Sequence, residues 1–499
     1  MYHATKTLVK QNDALFSYFA ELARFSNNLR NAALFRVRQV LTFVEKPEAQ
    51  WTTNEREIHD EIAAALPLMG PKFKMPTKGK TFLNYGFLNA LLSVTRNPDY
   101  FAEKLPRQTS QQILKEVVAN MKSFYAACRS YKKNPSAFTG RPKLPGYGKS
   151  GGMRKVIFTN QDCVLYPSDA GGFEVKFPKT KERLYIGDMP ITGRLKQVEV
   201  LPSHGIFVVS LIWDDGAGQP EPVTEPKRIC AIDLGVNNLA AITNNLGLPC
   251  LLFKGGVAKS INQHYNKQVA KIVSEQTKGS TKKFVPTEAF YAMCRWRENH
   301  LSDLFHKTAV RLIQWCQDNR IDTIVIGVNK FWKQRSDMDK TNNQNFVQLP
   351  FDRFKKMIKY RAERVGILVI EHEESYTSKA SFLDGDDIPV YDPNNVDENG
   401  ERIRYAFSGR RLGRGLYKSA DGTIINADLN GSANIMRKTL PKAFTIGEEP
   451  HFDEVMVIHH PEEEMMRENR ARQLQMVKPI SRSKQKRLNR KQHNVILLG

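Results

Sequence analysis

Hydrophobic positions change period along the chain, and each change marks a region. Between residues 11 and 135 they recur at three- and four-residue steps. Leu15, Tyr18, Phe19, Leu22, Phe25, Leu29, Ala33, Val37 and Val40 form one stripe. Ile113, Leu114, Val117, Met121, Phe124, Tyr125 and Cys128 form another behind Ser110, a residue of the N-cap type. This pattern predicts a helical lobe over 11–135, its stripes buried as core, after a short strand at 4–10. From 155 to 215 the apolar runs shorten and alternate with turns, at 156–158, 173–177, 195–200 and 206–212. They predict a small all-β module, a barrel completed by the N-terminal strand. Beyond 228 the runs become continuous. Strands at 228–233, 239–243 and 249–253 make a meander, followed by a helix over 287–318, a strand at 323–327, a helix over 351–365 and a strand at 367–370. Helical crossovers make the later strands parallel, so their C-terminal ends emerge along one edge.

Charge narrows the class. Seventy-five Lys and Arg against 52 Asp and Glu give a net charge of +23, which self-repels in a compact chain unless a polyanion binds it. The expected partner is nucleic acid. No apolar stretch approaches the roughly 18–20 residues of a membrane span, and the opening residues lack the apolar core of a signal peptide. The six cysteines are scattered and none forms Cys-x-x-Cys, which argues for a reducing compartment and against a zinc site or disulfide framework. A cytoplasmic protein, monomeric and nucleoid-associated, is expected.

Residues 136–152 read as a flexible basic connector touching phosphate backbone. Two apparent phosphate motifs in it fail on context. Gly146-x-Gly148-x-x-Gly151 has no strand before it, and Gly148-Lys149-Ser150 has Lys143 where a P-loop needs its first glycine.

Acidic residues at three places along the chain carry candidate chemistry. Asp233 closes the apolar run Ile229-Cys230-Ala231-Ile232, where a buried strand opens to solvent; an Asp-Gly turn is the simpler alternative. Asp428 opens a helix in Asn426-Ala427-Asp428-Leu429-Asn430-Gly431-Ser432-Ala433-Asn434-Ile435, whose small residues permit close approach to a sheet. A helix N-cap is the alternative there. Glu371, Glu373 and Glu374 cluster after the strand at 367–370, and a solvated acidic turn would explain them equally. Convergent carboxylates are what two-metal phosphodiester hydrolysis requires, and hard Mg2+ prefers such oxygen ligands.

Asp233-Leu-Gly-Val-Asn-Asn238 closely resembles the opening motif of the RNase H/RuvC nucleases. Asn426-Ala-Asp428-x-Asn-Gly-x-x-Asn-Ile435, with Thr377-Ser378-Lys379, resembles the terminal motifs of TnpB, the OrfB-type nuclease of insertion sequences related to the type V CRISPR effectors. The resemblance covers roughly 226–440, and the N-terminal half only in architecture. Two departures stand out. TnpB places a glutamate at the end of the fourth strand, as Ile-Val-Ile-Glu-Asn, where this chain has Ile324-Val325-Ile326-Gly327-Val328-Asn329. Either the site is dead or the ligand comes from the neighbouring strand, about 4.8 Å away. Glu-x-x-Thr-Ser marks Glu374 by resemblance to relatives with a rearranged glutamate, with Glu373 as runner-up. Many relatives also carry a four-cysteine zinc ribbon before the last aspartate; here 380–427 holds no cysteine, and a zinc-free hairpin insertion is expected.

The resemblance implies a multidomain α+β chain. A β-barrel wedge (1–10 and 136–225) would carry an inserted helical recognition lobe (11–135). An RNase H-like (RuvC) α/β nuclease domain (226–376 and 427–440) would follow, with a nucleic-acid-binding insertion (377–426) and a basic, flexible tail (441–499). It implies an RNA-guided DNA endonuclease. Asp233, Glu374 and Asp428 would hold two Mg2+, with Mn2+ able to substitute, and guide RNA and target double-stranded DNA would be the partners. Lys379, Arg410, Arg411 and Arg414 would contact nucleic acid. A nuclease-dead RNA-guided repressor and a protein-only RuvC-like transposase or resolvase are the alternatives.

Overall fold

A computed structural model describes residues 1–187, 193–279, 283–329, 348–391, 395, 403, 405–413 and 415–462. The chain forms two compact units, 1–218 and 219–499. It is a mixed α/β multidomain chain.

The first unit begins with strand β1 (Tyr2–Val9). Four helices follow: α1 (Phe16–Phe43), α2 (Thr53–Met69), α3 (Tyr85–Val94) and α4 (Arg107–Lys133). The stripe read from the sequence is buried along α1, with Phe19, Leu22, Leu29 and Val40 fully enclosed. Helix α2 starts at a capping box in which Thr52 and Glu55 satisfy each other's backbone amides. Helix α4 starts at Arg107, before the expected cap at Ser110; Ser110 is instead inside the helix, where its buried hydroxyl donates to the Pro106 and Tyr100 carbonyls. Strands β2 (Val156–Thr159), β3 (Val164–Pro167), β4 (Phe173–Lys176), β5 (Arg183–Gly187), β6 (Arg194–Ser203) and β7 (Ile206–Asp214) complete the unit. They form a four-stranded sheet, β1-β7-β6-β2, and a three-stranded sheet, β3-β4-β5. Among the described residues these are separate sheets, and closure into the expected barrel is not seen. The N-terminal strand does join the sheet, antiparallel to β7 from Tyr2–Asp214 to Val9–Phe207.

The connector before β2 is held rather than loose. Side chains of α1 bind its backbone: Asn27 to the Lys149 carbonyl at 2.9 Å, Arg30 to Gly146 at 3.0 Å, Asn31 to Gly148 at 3.0 Å and Arg38 to Pro145 at 3.1 Å. The expectation of a flexible linker is corrected for residues 145–149, because polar groups on α1 supply the partners that extended backbone needs.

The second unit is built on a six-stranded sheet of β8 (Ile229–Asp233), β9 (Asn238–Asn244), β10 (Pro249–Lys254), β11 (Thr323–Val328), β12 (Leu368–Glu373) and a strand at His451–Ile458. The order is β12-β11-β8-β9-β10 and then the last strand. The antiparallel meander β8-β9-β10 and the parallel pairs β8-β11 and β11-β12 follow the order read from the sequence. Helices α5 (Gly256–Thr277), α6 (Glu288–Asp318) and α7 (Phe351–Arg364) accompany it; α6 and α7 pack Phe305, Leu312, Phe354 and Ile358 against Cys230, Ile232, Ile324 and Ile326 on one face. Helix α8 (Ala427–Thr439) lies on the opposite face, against Ile229, Ala231 and Val325. A three-stranded antiparallel sheet of β13 (Arg410–Gly413), β14 (Leu416–Lys418) and β15 (Ile424–Asn426) leads into α8.

The tail expected from 441 begins later. A helical turn occupies Ala443–Ile446, and His451–Ile458, now β16, runs parallel to β10 with Ile458 buried in the core. The remaining tail, 463–499, lies outside the described residues. Trimming Ile458 to alanine should cost about 2–5 kcal/mol in urea unfolding of the full chain; no loss would show that β16 does not belong to the core.

Candidate metal centre at the sheet edge

Helix α8 can approach the sheet closely because its inward residues are small. Buried Ser432 donates to the Ala231 carbonyl at 2.8 Å and lies 3.0 Å from the Thr243 hydroxyl, tying the helix to β8 and β9. One residue earlier, Gly431 faces Asp233: a Cβ there would stand 2.6 Å from Asp233 Oδ2. The glycine therefore leaves the space that the first carboxylate occupies.

Asp428 is not the N-cap. Asn426 caps α8, its side chain accepting from the amides of Asp428 and Leu429 at 2.9 and 3.2 Å. Asp428 is thus released from capping. It accepts from Asn238 Nδ2 at 2.7 Å and from Arg411 at 3.2 Å.

Glu374 takes the place that Gly327 leaves open. It follows β12 directly, and its amide continues the ladder to the Val328 carbonyl at 3.2 Å. Its side chain crosses β11: a Cβ on Gly327 would lie 2.2 Å from Glu374 Oε2 and 2.5 Å from Ile435 Cδ1. That oxygen is buried and has no hydrogen-bond partner. The turn beyond is closed by Thr377, whose hydroxyl and amide both donate to the Glu374 carbonyl, at 2.9 and 3.2 Å. Tyr376 in the same turn sits in the left-handed region at φ 64°.

Glu373 has a different task. It is ion-paired at 2.7 Å with Lys438, whose side chain is 5% exposed and also donates to the carbonyls of Ser375 and Pro389. Asn434 of the same helix donates to the carbonyls of Thr377 and Ala380, and Asn430 donates to Ala380 and accepts from the Phe382 amide. The asparagines of the terminal motif therefore hold the Thr-Ser-Lys segment behind Glu374.

Charge follows this geometry. Burial raises the Asp233 carboxyl well above its ordinary range, and the charges of Glu374 and Asp428 raise it further, against a smaller opposing effect of Arg411. Glu374 is pushed up to about 7, first by burial and then by the charge of Glu373, with Lys355 and Lys438 opposing. Burial also acts to raise Glu373, but Lys438 and the Ser375 hydroxyl and amide outweigh it and leave Glu373 below the ordinary range. Burial as the main cause of both raised values shows that Asp233 and Glu374 are not part of a solvated turn.

The donors are all carboxylate oxygens, and an unpartnered buried one is among them, which suits a hard divalent cation. Among the described residues no group of three or more His, Cys, Asp or Glu side chains is gathered tightly enough to hold an ion as it stands. Mutual repulsion of like charges and the pairing of Asp428 with Arg411 act in that direction.

Of the expected nucleic-acid contacts, Lys379 and Arg410 are exposed. Arg411, also on β13, bonds Asp428 and so belongs to the carboxylate centre. Arg414 lies outside the described residues. Asn238, Asn426 and Lys438 were not singled out from the sequence; the first two stand inside the motifs, yet their partners are set by tertiary structure.

Residues 208–332 match the family model OrfB_IS605, described as "Probable transposase", and residues 351–435 match the Cas12f1-like TNB domain. A TnpB-like protein, ORF457, of Acidianus two-tailed virus is 22% identical over 281 residues, 54% of this chain and 53% of that protein. The match thus spans about half the length of that relative. Among solved structures, the chain is similar to that in the Cas12f1-sgRNA-target DNA complex, with 14% identity, 87% and 98% of the two chains covered and a TM-score of 0.48. It is also similar to CasPhi-2 (Cas12j) bound to crRNA and phosphorothioate-DNA, with 11% identity, 90% and 92% covered and a TM-score of 0.36. Over residues 208–332 and 351–435 the chain is similar to the TnpB-type (OrfB_IS605) and Cas12f1-like families.

Two outcomes follow. Gly327→Ala should displace Glu374 and lower the melting temperature, and Gly327→Ala with Glu374→Ala should recover part of the loss; equal stability of Gly327→Ala and wild type would refute the close contact. In metal-free protein Glu374 ionises near pH 7 when folded and near 4.5 when unfolded. Its proton is therefore held more tightly by the folded state, and stability falls as pH rises between those values. Between pH 5 and 8 the wild type should lose about 2–3 kcal/mol more than Glu374→Gln in urea unfolding.

Proposed function

We propose that the protein is an RNA-guided DNA endonuclease whose RuvC-type centre has its middle glutamate on β12 instead of β11. The observation that carries this reading is Glu374 lying over Gly327 with a buried, unpartnered oxygen, on the same sheet edge as Asp233 and beside the helix that bears Asp428. A dead site has no reason to refill the vacated position with an acid. The strand order of the second unit is read as RNase H-like.

Asp233, Glu374 and Asp428 would hold Mg2+, two ions by analogy with this class of site, with Mn2+ able to substitute. When bound, the metal supplies an activated water and charge stabilisation for phosphodiester hydrolysis. The chain's own contribution is to fix the three acids. Gly431 and Gly327 clear their positions, Asn426 frees Asp428 from capping, and Lys438 with Asn434 and Thr377 holds the turn that presents Glu374. Arg411, exposed beside Asp428, is placed to meet a phosphate once a cation replaces it there.

The guide RNA, the target double-stranded DNA and a short flanking motif are inferred from the family matches and from the charge of +23. In such systems pairing to the guide reads sequence, and the protein reads duplex shape and the short motif. The helices and sheets of the first unit are assigned that task, and Lys379, Arg410 and Arg414 contacts to nucleic acid.

The test is cleavage of guide-matched plasmid by protein purified with its RNA, in Mg2+. Asp233→Asn, Glu374→Gln and Asp428→Asn should each lower the rate by at least about 100-fold, and Glu373→Gln by no more than about tenfold. Loss with Glu373→Gln and not with Glu374→Gln would overturn the ligand assignment. Binding of matched DNA by wild type with no cleavage at any flanking sequence would make the protein an RNA-guided repressor instead.

A further inference from the structure

Strand β10 runs antiparallel to β9 in regular register, Leu251 opposite Ile242, Leu252 opposite Ala241 and Phe253 opposite Ala240. The next step breaks the count: Lys254 stands opposite Asn238, and Leu239 is passed over. Such a bulge re-aims a side chain, and here it sets a lysine against the first residue of β9 where regular pairing would have set it against a buried leucine. The irregularity is braced. The Gly255 amide donates to the Asn237 carbonyl at 2.8 Å, and a Cβ on Gly255 would stand 2.0 Å from the Val236 carbonyl oxygen, so the two chain segments meet only because Gly255 has no side chain.

The result is a directed chain of hydrogen bonds. Lys254 Nζ donates to Asn238 Oδ1 at 2.9 Å, and Asn238 Nδ2 donates to Asp428 Oδ2 at 2.7 Å. An ammonium only donates. It therefore selects the amide orientation in which the carbonyl faces β10 and the NH2 faces the carboxylate. Asn238 is 4% exposed, whereas the second donor to Asp428, Arg411, lies on the exposed strand β13. The two donors differ in kind, one built into the sheet and one on an accessory hairpin.

We infer that Asn238, oriented by Lys254, is the positioning residue of the third carboxylate: it fixes Asp428 by one oxygen so that its remaining lone pairs are presented to a divalent cation. This inference rests on the metal-centre reading above. Neither residue touches the reacting atoms.

The test uses the full chain with its RNA, Mn2+ alone as the calorimetric probe, and cleavage of matched DNA as a function of Mn2+ concentration. Lys254→Met keeps the stem and removes the donor, Lys254→Arg keeps a donor, and Asn238→Leu removes the bond to Asp428. Lys254→Met should weaken Mn2+ binding about tenfold and Asn238→Leu by up to about 100-fold, with the half-saturating Mn2+ concentration for cleavage rising in step. The rate at saturating Mn2+ should stay within about threefold for Lys254→Met, and Lys254→Arg should restore most of the affinity. A structural role alone would lower the melting temperature without moving the Mn2+ dependence, which would overturn the inference. If Asn238→Leu does not fold, the two lysine variants decide. Asp428→Asn separates the two levels. Wild-type Mn2+ binding by the Lys254 and Asn238 variants, alongside weakened binding by Asp428→Asn, rejects the positioning role alone; unchanged binding by Asp428→Asn rejects the metal centre itself.

Discussion

Like charge brought together out of water is the constraint on which the second unit depends. Asp233 and Glu374 are both pushed far towards their neutral forms by burial, and each acid is further opposed by a neighbouring one. Such an arrangement is costly in isolation and persists only where surrounding structure over-determines it. Here the surrounding structure is a sheet edge, a helix with glycine and serine on its inner face, and a ladder of buried amides. The carboxylates do not assemble the fold. The fold brings the carboxylates to one edge of the sheet.

That view explains why the terminal motif is long. A metal ligand alone would need one aspartate. The run from Asn426 to Lys438 instead distributes several tasks along one helix. Asn426 caps, Gly431 and Ser432 permit contact with β8 and β9, Asn430 and Asn434 hold the segment after β12, and Lys438 neutralises Glu373 while gripping two carbonyls. Because the helix bonds both to the strand carrying Asp233 and to the turn carrying Glu374, it sets the separation of the first two acids as well as supplying the third.

Much of the second unit was legible because its signals are local. Continuous apolar runs gave the strands, and an acid at the end of one gave Asp233. Strand spacing allowed a glutamate beyond β12 to reach the place of Gly327, and the resemblance of Glu-x-x-Thr-Ser singled out Glu374 over Glu373. What stayed hidden depends on partners remote in sequence. Nothing near Arg411 shows that it turns towards Asp428, and nothing near Asn426 shows that it relieves Asp428 of capping. The last strand, His451–Ile458, was masked by its own composition: Asp453 and Glu454 interrupt the apolar pattern at an edge position, where one side of a strand stays exposed. In the first unit, the connector at 145–149 has a loop's composition, but amide and guanidinium groups on α1 give its backbone an ordered path.

The order of synthesis gives the late position of α8 and β16 a further meaning. Asp233, the meander and β11 leave the ribosome well before the helix that bears Asp428 and the strand that closes the sheet. Domains generally fold as units while the chain is being made, and this one must wait for its C-terminal portion. Until then one face of β8 and β9 has no cover, and one edge of β10 has no partner. A nascent or interrupted chain therefore has two of the acids and cannot complete the centre, which would arrive only with the last elements of the fold.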